Sequence, residues 1–277
     1  SRTLAGCLGD PSAVVREAAV QGLSGSVAWT CPDAVATASA LAAHKERGVR
    51  DSAAAALAAF AKGGSAQALE AIVPHMTDKF VCCGQRSSYN VLLRAMEGFL
   101  ARRARGDAAA VEALSACLAH GEMSVRAAAV EGLLQIAERG NARALCSVKG
   151  CLEDESAVVR GSALRAFAQL ADPIDSTVVS AAADRLADGS VEVRLAALEA
   201  LTAVAGRSLG ADRLAARSAV VVCLTDWHAG VRKGALRALV QIADRGDESA
   251  VAVVEACLDD EDVGVQTAAA QALKRLR

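Results

Sequence analysis

The sequence predicts an all-α solenoid of about eight helical hairpins stacked side by side. Three observations predict it: a Val-Arg pair returns at a near-constant interval, an Asp stands six residues before most of these arginines, and large core side chains are scarce. Aromatic residues make up only 3% of the 277 positions although 53% are hydrophobic. A core of Ala, Val and Leu suits helices packed repetitively with axes roughly 8–10 Å apart. Alternating β-branched runs are missing, so no sheet is expected.

The pair stands at Val15-Arg16, Val49-Arg50, Val125-Arg126, Val159-Arg160, Val193-Arg194 and Val231-Arg232, with Val265-Gln266 a weakened copy. Matching Met96–Leu100 to Val130–Leu134 places a degenerate copy at Val91-Leu92. Successive intervals are then 34, 42, 34, 34, 34, 38 and 34 residues. Self-similarity at such a period is the signature of a repeat architecture. The units run approximately over 1–28, 29–62, 63–105, 106–140, 141–172, 173–206, 207–245 and 246–277, as one solenoid domain. Residue 1 falls inside an expected helix and neither end carries a polar capping repeat, so the chain is expected to be a segment of something longer, with its ends covered by more of the same protein or by another subunit.

Each unit shares one grammar. A Leu stands eight residues before the Arg position (Leu8, Leu118, Leu152, Leu186, Leu224, Leu258) and an Asp six before it (Asp10, Asp154, Asp188, Asp226, Asp260), with His44 and His120 taking that slot in two units. After the Val, apolar residues such as Ala163, Leu164, Phe167, Leu170 and Ala171 cover a helix face about 140° wide. A shorter apolar helix precedes each Asp, as over 174–187 and 247–259. Turn residues such as Asp-Glu-Ser and Asp-Gly-Ser are expected to cap the next helix. The Arg after the Val points into the apolar face, where an unpaired charge is costly. The Asp and Arg side chains are therefore expected to bond to each other along the stack and hold each turn to its neighbour.

This pattern resembles the HEAT-repeat family, including its phycobilisome-lyase-like subgroup, in which a turn Asp precedes a second-helix Arg by six residues. The residues that carry the resemblance are Asp10 and Arg16, Asp154 and Arg160, Asp188 and Arg194, and Asp226 and Arg232. The resemblance implies a right-handed superhelix with the second helices lining its concave side. It also implies first helices kinked by proline, for which Pro74 alone is a candidate here, so most first helices should be straighter.

The chemical constellations point away from catalysis. Cys7, Cys117, Cys151, Cys223 and Cys257 share one repeat position, as small buried packing residues would. Equivalent positions in adjacent repeats lie roughly 10 Å apart, beyond the ~7 Å reach of a disulfide. No C-x-x-C pair suggests zinc. None of His44, His75, His120 and His228 is followed by Glu, unlike the di-iron sites of HEAT-repeat hydroxylases. No hydrolase elbow, H-E-x-x-H or phosphate loop is present. No catalytic residue, metal or cofactor is expected. A net charge of −2 and few exposed-type aromatics (Trp29 and Trp227 sit in turns) make nucleic acid an unfavoured ligand. No apolar run reaches the roughly 18 residues of a membrane span. Free thiols in this number suit an intracellular, reducing compartment, the cytoplasm first with an organelle left open.

What remains is surface. On the wheel the sixth and tenth residues after each Val oppose the buried face. These rows supply Glu131, Gln135, Arg165, Gln169, Glu199, Arg237 and Gln241, a polar ridge with a Gln stripe. The 42-residue interval adds an insert near Asp78 to Tyr89 that holds Phe80, the Cys82-Cys83 pair, Arg86 and Tyr89; insertions in repeats map to loops and often to binding faces. The expected function is a non-catalytic scaffold or adaptor that binds a partner protein or peptide on the concave face, the insert or the ends. The alternatives are a lyase or chaperone for a tetrapyrrole-carrying protein, which the family resemblance permits, and a nucleic-acid-binding solenoid.

Overall fold

Among the described residues, five first helices are followed by a tight 3₁₀ turn that releases the chain at Asp10, Asp154, Asp188, Asp226 or Asp260, and that turn decides where the second helix starts. The computed structural model describes residues 2–24, 30–73, 95–172, 175–207 and 210–277. They form two compact units, Ser1–Glu138 and Arg139–Arg277. Among the described residues there is no strand.

In the first unit the helices are α1 (Arg2–Gly6), α2 (Ala13–Ser24), α3 (Pro32–Ala42), α4 (Arg47–Lys62), α5 (Ala66–Ile72), α6 (Ala108–Cys117) and α7 (Met123–Ile136), with residues 95–100 also helical. In the second they are α8 (Ala142–Gly150), α9 (Ala157–Leu170), α10 (Thr177–Asp184), α11 (Val191–Ala205), α12 (Ala211–Val222), α13 (Ala229–Ile242), α14 (Glu248–Glu255) and α15 (Val263–Leu276). The α-helical parts of the first helices are shorter than the apolar pattern predicts. The expected 174–187 becomes Thr177–Asp184 followed by a 3₁₀ turn at Arg185–Ala187, and the expected 247–259 becomes Glu248–Glu255 followed by Ala256–Asp259. The tighter turn lets the backbone N–H of Asp188 or Asp260 bond a carbonyl three residues back, which satisfies helix-end groups that would otherwise be orphaned.

Phe60, Leu57, Leu69, Ile72, Phe99, Leu114 and Leu133 fill the core of the first unit; Leu164, Phe167, Leu201, Leu236 and Leu239 fill the second. Burying each such side chain contributes roughly 1.5–3 kcal/mol. In the second unit α9 packs on α11, α11 on α13 and α13 on α15, whereas contact between first helices is sparser, with α10 and α12 the main pair. Small residues permit this: a Cβ placed on Gly161 of α9 would lie only 3.8 Å from the Ala196 Cβ of α11. The second helices thus form the tighter layer, and their outward rows lie side by side.

Candidate functional site

A chain of buried charge sets the spacing of the second helices. Arg160 donates from Nη1 to the carbonyls of Asp154 (2.8 Å) and Glu155 (3.1 Å), which anchors it to its own turn. Its Nε and Nη2 donate to the two carboxylate oxygens of Asp188 in the following repeat, at 2.8 and 2.7 Å. Arg194 then donates to the Asp188 carbonyl (2.9 Å) and to Asp226 Oδ1 (3.0 Å), with its Nε 2.8 Å from Oδ2. Arg232 donates to the Asp226 carbonyl (2.8 Å) and to both oxygens of Asp260 (2.8 and 2.7 Å). Each of these carboxylates also accepts the backbone N–H two residues on, from Ser190, His228 and Asp262. The Arg160 guanidinium holds the Asp188 carboxyl below the usual carboxylate range, and Arg232 does the same for Asp260.

The partners in this chain are staggered by one repeat. Within the sequence pairs Asp154 and Arg160, Asp188 and Arg194, and Asp226 and Arg232, the Arg takes the carbonyl of its own Asp, and the carboxylate it binds belongs to the next turn. Gln266, the weakened copy, keeps only the first contact, with Nε2 donating to the Asp260 carbonyl at 2.7 Å. Asp10 and Arg16 follow the same rule: Arg16 Nη1 donates to the Asp10 carbonyl (2.8 Å) while the Asp10 carboxylate accepts from Ser12 N–H. The next turn offers His44, whose Nδ1 accepts the Glu46 N–H as an Asp would but which has no carboxylate to offer. Among the described residues Arg16 therefore bonds only the carbonyls of Asp10 and Pro11, and its buried Nε is left without an acceptor. His120 Nδ1 takes the Glu122 N–H in the same way. The turn Ser does not always cap: the Ser190 hydroxyl accepts no helix N–H and instead donates to Glu192, while the Asp188 carboxylate holds the Ser190 N–H and so organises the turn.

A second device, missed by the sequence reading, closes the other end of the hairpins. Arg105-Gly106-Asp107, Arg139-Gly140-Asn141 and Arg245-Gly246-Asp247 each open a hairpin. The glycines have φ of +87°, +78° and +79°, and their N–H groups donate at 2.7 Å to the carbonyls of Ile136, Leu170 and Leu276 at the ends of the corresponding second helices. The arginines donate to neighbouring carbonyls, and Asp107, Asn141 and Asp247 cap α6, α8 and α14. The recurring Arg-Gly-Asp/Asn tripeptide was the available signal.

On this frame Glu131 and Gln135 of α7 are exposed in the first unit, and Arg165, Gln169, Glu199, Arg237 and Gln241 are exposed in the second. Arg165 and Glu199 approach to 3.7 Å. Two clefts open beside this row. One, of about 680 Å³ between α11 and α13, includes Glu199, Thr202, Arg207, Arg237 and Gln241. The other, of about 540 Å³ between α13 and α15, includes Lys233, Arg237, Gln241, Gln271 and Arg275. Arg237 and Gln241 belong to both. Thr202, Arg207, Lys233 and Arg275 were not anticipated; Arg275 lies on the tenth-residue row, so extending that row to the last repeat would have found it. Phe80, Arg86, Tyr89 and the Cys82-Cys83 insert, with Trp29, Pro74, His75 and Val91-Leu92, lie outside the described residues.

Other singled-out residues have local roles. Trp227 is 73% exposed, with Arg194 5.0 Å over its ring and His228 edge-on. Cys117, Cys151, Cys223 and Cys257 are buried, Cys7 and Cys31 are half-buried, and Cys146 is exposed; all are free thiols. Burial pushes Cys117 up to about 12 and Cys223 up to about 11. Among the described residues no group of three or more His, Cys, Asp and Glu could hold a metal, and no helix is long and apolar enough to cross a membrane.

The family model for HEAT repeats matches residues 2–81 and 179–274, and one for a HEAT repeat associated with sister chromatid cohesion matches residues 147–164. No curated protein matches the sequence. Among solved structures, Cex1p aligns at a TM-score of 0.63 with 13% identity, covering 94% of this chain and 56% of its own. The Escherichia coli protein YibA aligns at 0.52 with 21% identity, covering 99% and 92%. The complex of CpcE and CpcF of phycocyanin lyase from Nostoc sp. PCC7120 aligns at 0.46 with 23% identity, covering 60% and 99%, too distant to bear on function. At these identities the first two likenesses speak to the fold alone.

Proposed function

The chain belongs to the HEAT-repeat family, and we propose that it works as a non-catalytic scaffold that binds a partner protein through the outward face of its second helices. The observation that carries this reading is the pair of adjoining clefts that share Arg237 and Gln241. An exposed ridge of mixed charge flanked by open clefts suits an extended or helical segment held by hydrogen bonds and local charge complementarity. Arg165, Gln169 and Glu199 belong to the same proposed surface of the second unit; in the first unit Glu131 and Gln135, and the insert with Phe80, Arg86 and Tyr89, are proposed as further places for contact. The eight-unit division is part of this reading, as is an intracellular reducing compartment, which the free thiols support.

The test is affinity capture from native extract with the unaltered chain and with Arg165→Glu/Arg237→Glu, read by quantitative mass spectrometry. A partner enriched by the first and lost by the second is expected. Partners retained equally by both would overturn the reading. A bilin-carrying protein or a nucleic acid recovered as the specific partner would replace it with one of the other two readings.

A further inference from the structure

We infer that the cleft between α13 and α15 selects an acidic segment in extended conformation, with Arg237 and Arg275 as its two carboxylate receptors. This rests on the scaffold reading above and names the chemistry of the partner.

The charge of the cleft is one-sided. Its lining contains Lys233, Arg237 and Arg275 and no Asp or Glu. Lys233 is drawn to Asp262 at 3.5 Å. Among the described residues the guanidinium groups of Arg237 and Arg275 make no ion pair. Elsewhere in the second unit Arg160, Arg185, Arg194, Arg213, Arg217 and Arg232 hold carboxylates, while Arg139, Arg207 and Arg245 donate to backbone carbonyls. On the same row Arg165 faces Glu199 at 3.7 Å. Positive charge is thus left without a carboxylate partner on both helices that border this cleft.

The neutral residues of the cleft point to a polypeptide. Gln241 stands one turn from Arg237 on α13, and Gln271 one turn from Arg275 on α15, so amides and guanidinium groups alternate diagonally. Each amide offers a donor and an acceptor, the complement of a peptide unit. The rest of the lining is Leu236, Val240, Gly264, Thr267, Ala268 and Ala272, with the small residues on α15 leaving room for a backbone. No aromatic ring lines the cleft, so unpaired bases lack the usual stacking platform, which disfavours single-stranded nucleic acid. Adjacent second helices lie roughly 10 Å apart and an extended chain advances about 3.3 Å per residue. The two arginines, one helix and one turn apart, therefore fit acidic side chains three or four positions apart.

The test is selection of random nonapeptides displayed on phage against the full chain, followed by fluorescence anisotropy with a selected peptide. Enrichment of two acidic residues three or four positions apart is expected. So is a loss of affinity of at least about tenfold in Arg237→Glu/Arg275→Glu, together with weakening as salt is raised. Both arginines are exposed, so the double variant should melt like the parent, and circular dichroism checks this. Binders without acidic enrichment, or binders indifferent to the double substitution, would overturn the inference and leave a scaffold with another specificity. A single-stranded oligonucleotide that displaces the peptide at equal concentration would overturn the peptide as occupant. Failure of the scaffold reading shows separately, as partners retained by the Arg165→Glu/Arg237→Glu bait.

Discussion

Arg160 and Asp188 sit 28 residues apart and form a two-bond ion pair, at 2.8 and 2.7 Å, across the boundary between consecutive repeats. The Asp188 side chain is only 6% exposed, so removing it strands a largely buried guanidinium. We expect Asp188→Ala to cost about 2–3 kcal/mol, somewhat under the range for a fully buried pair because Arg160 keeps some access to water. Chemical denaturation measures this; a change under about 0.5 kcal/mol, the level of an ordinary surface substitution, would contradict it.

His44 interrupts that ladder. His44→Asp should give Arg16 the carboxylate it lacks while preserving the acceptor for the Glu46 N–H. The expected gain is about 0.5–1 kcal/mol. It should vanish in an Arg16→Met background, and a gain that persists there would show that the new Asp acts on something other than Arg16.

Acid should loosen the ladder. Asp188 and Asp260 have folded-state pKa values held below the unfolded value by Arg160 and Arg232. Their contribution is fully present above the unfolded carboxylate pKa, about 3.9, and is lost as pH falls through the lower folded values. Stability against urea should therefore decline below about pH 4, and Asp188→Asn should flatten that decline. An unchanged acid slope in this variant would refute the assignment.

The hairpin clasp depends on left-handed glycines. Around Gly246 a Cβ would meet nothing within 4 Å, so Gly246→Ala reports backbone strain alone and should cost about 1–2 kcal/mol. At Gly140 a Cβ would also lie 3.0 Å from the Asp172 carboxylate, so Gly140→Ala should cost more. Reversal of that order in thermal melts would count against this account.

The thiols should divide by burial. Cys146 is exposed, while Cys117 is buried with its pKa pushed up to about 12 and its Sγ donating to the Ala113 carbonyl at 3.2 Å. Because the thiolate is the reactive form, peptide mapping after brief alkylation of the native protein should find Cys146 modified and Cys117 intact. Equal labelling would contradict the packing role.

The 34-residue return of Val-Arg determined by itself that the chain is a stack of helical hairpins, because repetition and 3.6-residue periodicity are properties of one strand of text. It also determined that the Arg enters the apolar face and that Arg165, Arg237 and Gln241 face outward, since a helical wheel needs no neighbour. The same text showed the Asp six residues before most of these arginines and left open which Asp an Arg would hold. Only the tertiary structure decided that the carboxylate comes from the following repeat. The partner is chosen by how one turn lies over the next, a relation between segments about 30 residues apart that spacing within a repeat does not contain. For the same reason the pairing of Arg237 with Arg275 across one cleft, and the lack of a carboxylate between them, became visible only once α13 and α15 were side by side.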